Sequence, residues 1–393
     1  MKDDFYKKIL SKITLSSIAI FSLFSCGNTT SNNSVQPSSL PITEVRVSYH
    51  NQYSNPTYPL ANNEKKETYM ADPFVVRDDD GTYYMYCTQT EVYTPNLLFK
   101  RGPTFKSTNM IDWTYVSDVF ADYVPTWGES GAGVWAPTVI KIGDTWNFYY
   151  SLSIASDPNP GIGVATSQTP YGPWTHYGKV LDSNLSGVKN SIDPQPIYDE
   201  DGKLYLIWGS FYGIGAVELT DDGTEVFWGI NNIKDHLYWI IDDNSNGQMD
   251  ININYEGSYI IKRNDSYYYF GSQGTCCDGV NSTYRVKAGK ANKLLGKYYG
   301  SDGKTLTDET GSYGDLVVGP SEEVAGVGHN TVVEDYEGEF WLFYHGFDVD
   351  GEYPNERTIF MDKLYFDEND MPYVENKKAS IHQDKIGPLV IDF

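Results

Sequence analysis

Four residues set the chemistry that this sequence could do: Asp72, Asp193, Glu256 and His329, each at the head of a similar hairpin pattern. Carboxyl groups crowded into one poorly solvated place cannot all ionise together. Desolvation and mutual repulsion raise their pKa values and push them apart. One carboxyl then keeps its proton near neutral pH while another stays ionised, the division that general acid–base catalysis needs. Taken singly, none of the four says this. An isolated Asp-Pro at a strand start is more often a turn residue, and a lone histidine more often a satisfied buried one. Their common place in a repeat carries the argument.

The repeat is seen most clearly in residues 191–210, SIDPQPIYDEDGKLYLIWGS: an acid-Pro start, an apolar strand, an Asp-Gly turn and an aromatic return strand. Two apolar runs joined by a turn dipeptide predict a β-hairpin. Related units begin at Asp72, Ala136, Glu256 and His329, with turns at Asp80-Gly81, Gly143-Asp144, Asn264-Asp265 and Glu337-Gly338. Hairpins recurring at a long, nearly constant period predict radial blades, so the chain is expected to be all-β, a five-bladed β-propeller. In such a ring the innermost strand of every blade runs beside the axis. Equivalent residues of all blades then surround one mouth, although nearly two hundred residues separate Asp72 from Glu256. A merely structural axis would be less costly lined with Ser, Thr or Val.

Composition narrows the partners. The chain of 393 residues carries a net charge of −24, with 33 Tyr and 9 Trp. That acidity disfavours nucleic acid and anionic polymers such as a uronate backbone. A neutral substrate that stacks on aromatic rings fits better, and a monomer is expected. No phosphate-cradling glycine loop, G-x-S-x-G elbow, basic stripe or zinc-like Cys/His spacing is present.

Residues 1–25 read as a secretory signal, with Lys7, Lys8 and Lys12 flanking an apolar run too short to span a bilayer. The run ends in Leu23-Phe24-Ser25-Cys26, which resembles a bacterial lipobox, so Cys26 is the expected lipidation site and membrane anchor. Residues 26–65 are expected to be a tether beginning at that cysteine, and 66–393 the propeller. Gly27 after the cysteine leans toward outer-membrane sorting, by resemblance to bacterial lipoproteins. Cys276 and Cys277 are adjacent, and neighbours rarely bridge, so no disulfide is expected. Residues 242–250, DDNSNGQMD, resemble the front half of a calcium loop, but Ile253 stands where the bidentate Glu belongs. The default there is a solvated Asn-Gly turn.

With the repeat heads in place, the chain resembles glycoside hydrolase family 43, most closely its arabinan endo-1,5-α-L-arabinanases. The resemblance runs from about Tyr69 to Tyr373. It is carried by Val134-Trp135-Ala136-Pro137, Ile192-Asp193-Pro194, residues 198–204, Gly209-Ser210-Phe211, residues 276–284 (CCDGVNSTY) and Gly328-His329-Asn330. It implies Asp72 as general base, Glu256 as general acid, and Asp193 as the residue that orients the acid and raises its pKa. It also implies Trp135, Ile192, Ser210 and Phe211 at or near the sugar subsite, and His329 beside an axial metal, usually calcium. The implied reaction is hydrolysis of internal α-1,5 linkages of arabinan, a neutral plant cell-wall polysaccharide, with inversion. Inversion requires room for a water, a carboxyl separation of ~6.5–9.5 Å. Rival expectations are an exo-acting α-L-arabinofuranosidase or β-xylosidase and, from another class, a non-catalytic glycan-binding surface lipoprotein. Gly257 is followed by Ser258 where the family often has Pro, and residues 242–254 do not align.

Overall fold

The computed structural model describes residues 48–57, 69–92, 98–245, 247–382 and 384–391. The expected signal, Cys26 and most of the tether lie outside these residues.

Five four-stranded antiparallel sheets, each contiguous in sequence, form the five blades of the expected propeller. Their innermost strands are Phe74–Arg77, Gly133–Ile142, Gln195–Tyr198, Glu256–Arg263 and Val324–Glu334. The second strands explain the aromatic composition. Tyr83–Tyr86 (YYMY), Ser266–Gln273 (SYYYFGSQ) and Phe340–Asp348 (FWLFYHGFD) are buried almost throughout. Successive side chains of a strand point to opposite faces, and each blade is covered on both. Thus Tyr267 and Tyr269 join the apolar cluster shared with blade three, while Tyr268 and Phe270 join the one shared with blade five. Five such clusters separate the blades, including one between blades five and one that holds Val333, Trp341 and Phe343 against Val75, Tyr83 and Met85. The ring therefore closes by side-chain packing.

One polar segment departs from expectation. Ser48–Tyr53, assigned above to the tether, pairs antiparallel with Lys385–Ile391, so the propeller domain begins earlier than residue 66. Asn55 then clamps blade five, its amide nitrogen donating to Met361 O and its Oδ1 accepting from Met361 N, both at 3.0 Å. The pairing was hidden because neither segment shows strict alternation, and a register shift interrupts the ladder. Among the described residues, no helix is long and apolar enough to cross a membrane.

Candidate active site

The heads of the innermost strands share an unusual backbone. Asp72, Ala136, Asp193 and His329 all have positive φ, at 54°, 43°, 60° and 51°. In blade four the equivalent is Gly257 at 56°, so Glu256 is not the head, as the repeat suggested, but the residue before it. Left-handed backbone is costly for a residue with a Cβ and persists only when its surroundings over-determine it. Here the support comes from the preceding blade. Ala136 N donates to Thr88 Oγ1 (2.8 Å), Asp193 N to Ser151 Oγ (2.9 Å) and His329 N to Ser272 Oγ (2.8 Å). His345 Nδ1 holds the same place for Asp72, 3.3 Å from its N. For Gly257 the acceptor is Asp193 Oδ2, at 2.9 Å. Asp193 thereby fixes the backbone of the residue next to the acid.

The consequence is two stacked rings. A cleft of about 200 Å³ is lined by Asp72, Asp193 and His329 from the ring of heads, and by Trp135, Ile192 and Glu256 from the ring before them. Below it, a small axial hollow of about 10 Å³ is lined by Asp72, Asp193, Gly257, His329 and Asn330, but not by Glu256. The structure thus brings together the four residues picked out for chemistry and two of the four picked out for sugar. Ser210 and Phe211 do not line the cleft. Ser210 is fully buried behind the acid, donating to Glu256 Oε2 at 2.8 Å. Phe211 is buried, its N bonded to Tyr255 O at 2.7 Å, and does not line the cleft.

The environments of the carboxyls differ in sign. Burial raises Asp72, but His329, Arg357 and His345 outweigh it and hold the group well below the usual carboxylate range. His345 Nδ1 lies 3.1 Å from Asp72 Oδ1, while His329 Nδ1 and Arg357 Nη1 each lie 3.5 Å from it. Thr88 donates to the other oxygen. Glu256 goes the other way: burial pushes it up to about 7, against the hydrogen bonds of Ser210 and Tyr284, with Asp72 adding to the rise. Asp193 is also raised, by burial first and then by the negative charge of Glu256. At neutral pH the site thus contains an ionised Asp72 and a Glu256–Asp193 pair that resists double ionisation.

Four contributors were not found in the sequence: Thr88, Tyr284, His345 and Arg357. Tyr284 is buried and lines the cleft with Glu256, and its ring leaves no room for a side chain at Gly328. A Cβ at 328 would lie 2.2 Å from the Tyr284 ring. Cys276 and Cys277, expected to be unbridged, form a disulfide with each other and line the cleft. The tight loop from Gly274 to Tyr284 holds the two side chains close, which residue spacing alone does not reveal. Gln248 N closes a turn onto Ser245 O.

For a metal, no three His, Cys, Asp or Glu groups are arranged to hold an ion among the described residues. The axial hollow nevertheless has room for about one water-sized sphere, the minimum for an ion or water. Burial holds the His329 imidazole below its usual pKa, against the opposing pull of Asp72. Both polar atoms of the buried Asn330 side chain lack a hydrogen-bond partner. The donors fit a single cation that completes its shell with water.

A propeller mouth that holds an ionised carboxylate and a protonated carboxyl, beside a Trp and an apolar wall, defines a glycosidase. Residues 65–372 match the family model of glycosyl hydrolases family 43. The chain belongs to that family. It is 26% identical over 333 residues to an extracellular exo-α-(1→5)-L-arabinofuranosidase of Cellvibrio japonicus, covering 80% of this chain and 88% of the relative. It is 30% identical over 251 residues to an extracellular endo-α-(1→5)-L-arabinanase of Bacillus subtilis, covering 61% of this chain and 71% of that one. Among solved structures, an α-L-arabinanase of Cellvibrio cellulosa complexed with arabinohexaose superposes with TM-score 0.64 at 25% identity, over 79% of this chain and 97% of that one.

Proposed function

We propose that this glycosidase hydrolyses internal α-1,5-linkages of arabinan with inversion. The observation that carries the chemistry is the opposition of Glu256, raised to about 7, and Asp72, held well below the carboxylate range, in one cleft. Glu256 gives its proton to the glycosidic oxygen as the bond from that oxygen to the anomeric carbon breaks. A water attacks the same carbon from the opposite face, and its proton passes to Asp72. Solvent then restores both groups. Asp72 and Glu256 stand on blades one and four, which are not neighbours in a five-membered ring, a placement that suits an intervening water. Asp193 is a positioning residue, holding Gly257 N and opposing ionisation of the acid. Ser210 and Tyr284 orient the acid, and Arg357 and the two histidines orient the base.

Internal cleavage is inferred from the endo-acting Bacillus subtilis relative, and the shape beyond the cleft gives an extended chain room on one side. A second hollow of about 640 Å³ shares Trp135 and Ile192 with the mouth and continues over Ser153–Pro158, Lys189, Asn190 and Tyr212. The mouth is therefore open on the side of blades two and three, with room for several sugar residues. The test is linear arabinan: oligosaccharides and a fast viscosity drop early in the reaction are expected. Monosaccharide alone from the outset would exclude the internal mode.

A calcium ion, if bound at the axis, would be held by His329 with the amide of Asn330 beside it. It would supply fixed positive charge under the carboxylates. Cys26 is proposed as the lipid-bearing N-terminus, placing the enzyme at the cell envelope, on the outer membrane or cell surface. The lipobox-like run before Cys26 supports this, as do the extracellular relatives.

A further inference from the structure

The outer edge of blade three carries aromatic rings that its packing does not use. The connection between its third strand, Ile214–Glu218, and its outermost strand, Tyr238–Ile241, is anchored by Val226 and Ile233, both buried in the apolar cluster shared with blade two. Phe227 and Trp228 stand beside these anchors in sequence, yet remain 50% and 45% exposed. The outermost strand then opens with Tyr238 and Trp239, exposed as well, so four bare rings fall within residues 227–239. We propose that this edge is a second, non-catalytic binding surface for a neutral polysaccharide, which holds the polymer while the mouth cuts it. The surface lies outside the catalytic site; taking arabinan as the polymer rests on the reading given above.

Trp228 is presented as a fixed platform. Its indole stacks on the His236 ring at 4.2 Å with 8° between the planes, and Phe227 meets it edge-on at 5.0 Å. The backbone beneath is equally held. Gly229 N donates to Val226 O (2.9 Å), His236 N to Ile233 O (3.1 Å), and the Asn232 amide reaches back to Trp228 O (2.7 Å). A ring fixed before binding loses little freedom on contact. A hollow of about 440 Å³ opens along the same segment, between blades two and three, with Lys179, Glu225, Asn231 and Asn232 in its lining. Trp228 falls between Val226 and Gly229, which both line it. None of the residues of this hollow lines the catalytic cleft or the larger hollow that continues from it.

Charge decides the occupant. Along residues 219–237, Asp221, Asp222, Glu225 and Asp235 oppose a single Lys234, and Lys179 is already paired with Asp182 at 2.6 Å. That balance repels an anionic lipid surface, a nucleic acid or an acidic polymer. A neutral sugar chain meets no such barrier. Its C–H faces can rest on the indole, and its hydroxyls can donate to the carboxylate of Glu225 and the amide oxygen of Asn231.

The test compares polymer with oligosaccharide, using the full chain. On linear arabinan, Trp228→Ala is expected to raise KM about tenfold with kcat within about twofold, since a chain held at two sites loses one of them. On arabinotriose, short enough to occupy the mouth alone, both constants should stay within about twofold of the parent. Trp228→Phe keeps a ring and should recover most of the polymer KM, while Asn231→Ala should raise it by a smaller factor than Trp228→Ala. The melting temperature of each variant should stay within about 2 °C of the parent, as for other surface substitutions. With cleavage disabled by Glu256→Gln, migration through a gel containing linear arabinan should be retarded, and adding Trp228→Ala should relieve much of that retardation.

An unchanged KM on the polymer would overturn the proposal. So would equal rises on polymer and arabinotriose, because Trp228 would then act through the mouth. Unchanged polymer kinetics together with weaker binding of Trp228→Ala to phosphatidylcholine vesicles would overturn it in favour of a lipid surface. A parent that cuts another neutral glycan but not arabinan would overturn the substrate reading alone. The same polymer-against-oligomer comparison on that glycan would then decide the role of the edge.

Discussion

Replacing Glu256 with Gln should destroy activity and stabilise the fold, and the second effect should depend on pH in a predictable way. Burial raises this carboxyl from 4.5 to about 7. A carboxyl with a higher pKa folded than unfolded holds its proton more tightly in the folded state. Stability therefore falls as pH rises between the two values, while below the lower one both states are protonated and nothing is lost. Each unit corresponds to about 1.4 kcal/mol, so the interval from 4.5 to about 7 amounts to about 3 kcal/mol lost by pH 8. Gln keeps an oxygen for the Ser210 hydroxyl, now 2.8 Å from Oε2, and never ionises. Denaturant unfolding at pH 4, 6 and 8 should show parent and variant equal at pH 4, with the variant ahead by about 3 kcal/mol at pH 8. Turnover of arabinan should fall about a thousandfold, within the range for loss of a general acid. In the parent, kcat/KM should decline as pH rises through about 7, where the acid loses its proton. On the acid side it should decline only below the ordinary carboxylate range, because Asp72 is held down. A stability difference independent of pH, or turnover close to that of the parent, would refute the assignment.

Gly328→Ala places a methyl group 2.2 Å from the Tyr284 ring, so a loss of about 1–3 kcal/mol from overpacking is expected. Turnover should drop with it as Tyr284 leaves Glu256; calorimetry and initial rates read both, and a variant matching the parent in each would break the link between these residues. Chelation should lower the melting temperature if a cation is bound at the axis, and His329→Ala should abolish that sensitivity. An unchanged melting curve in the chelated parent would remove the metal from the account.

The blade count, the antiparallel hairpins and the convergence of Asp72, Asp193 and His329 were legible because X-Pro and Asn-containing heads recur before apolar strands. Blade four was misjudged by one residue because Glu256-Gly257 lacks the proline that marks three of the other heads. The left-handed backbone, not the acid, defines the equivalent position. The partners of the base were invisible for a different reason: His345 and Arg357 meet Asp72 across the ring closure, 273 and 285 residues away in sequence. One signal was available. Thr88, Ser151, Ser272 and His345 all stand just past the aromatic run of a second strand, where a small polar residue or histidine breaks an otherwise apolar pattern. The Cys276–Cys277 bond had no such signal, since adjacency argues against bridging and only the folded loop reverses that argument.

The stacked rings make recognition and proton transfer unequally tolerant of change. Trp135, half-buried in the outer tier, is where a new side chain meets mainly sugar and solvent, so substrate preference could drift there at less cost to folding than at the buried Ile192 beside it. The inner tier has no such freedom, because each of its residues is locked by a side chain from the neighbouring blade. Glu256 belongs to the outer tier with the recognition residues. Remodelling of the mouth for another glycan would therefore disturb the proton donor well before it reached the base.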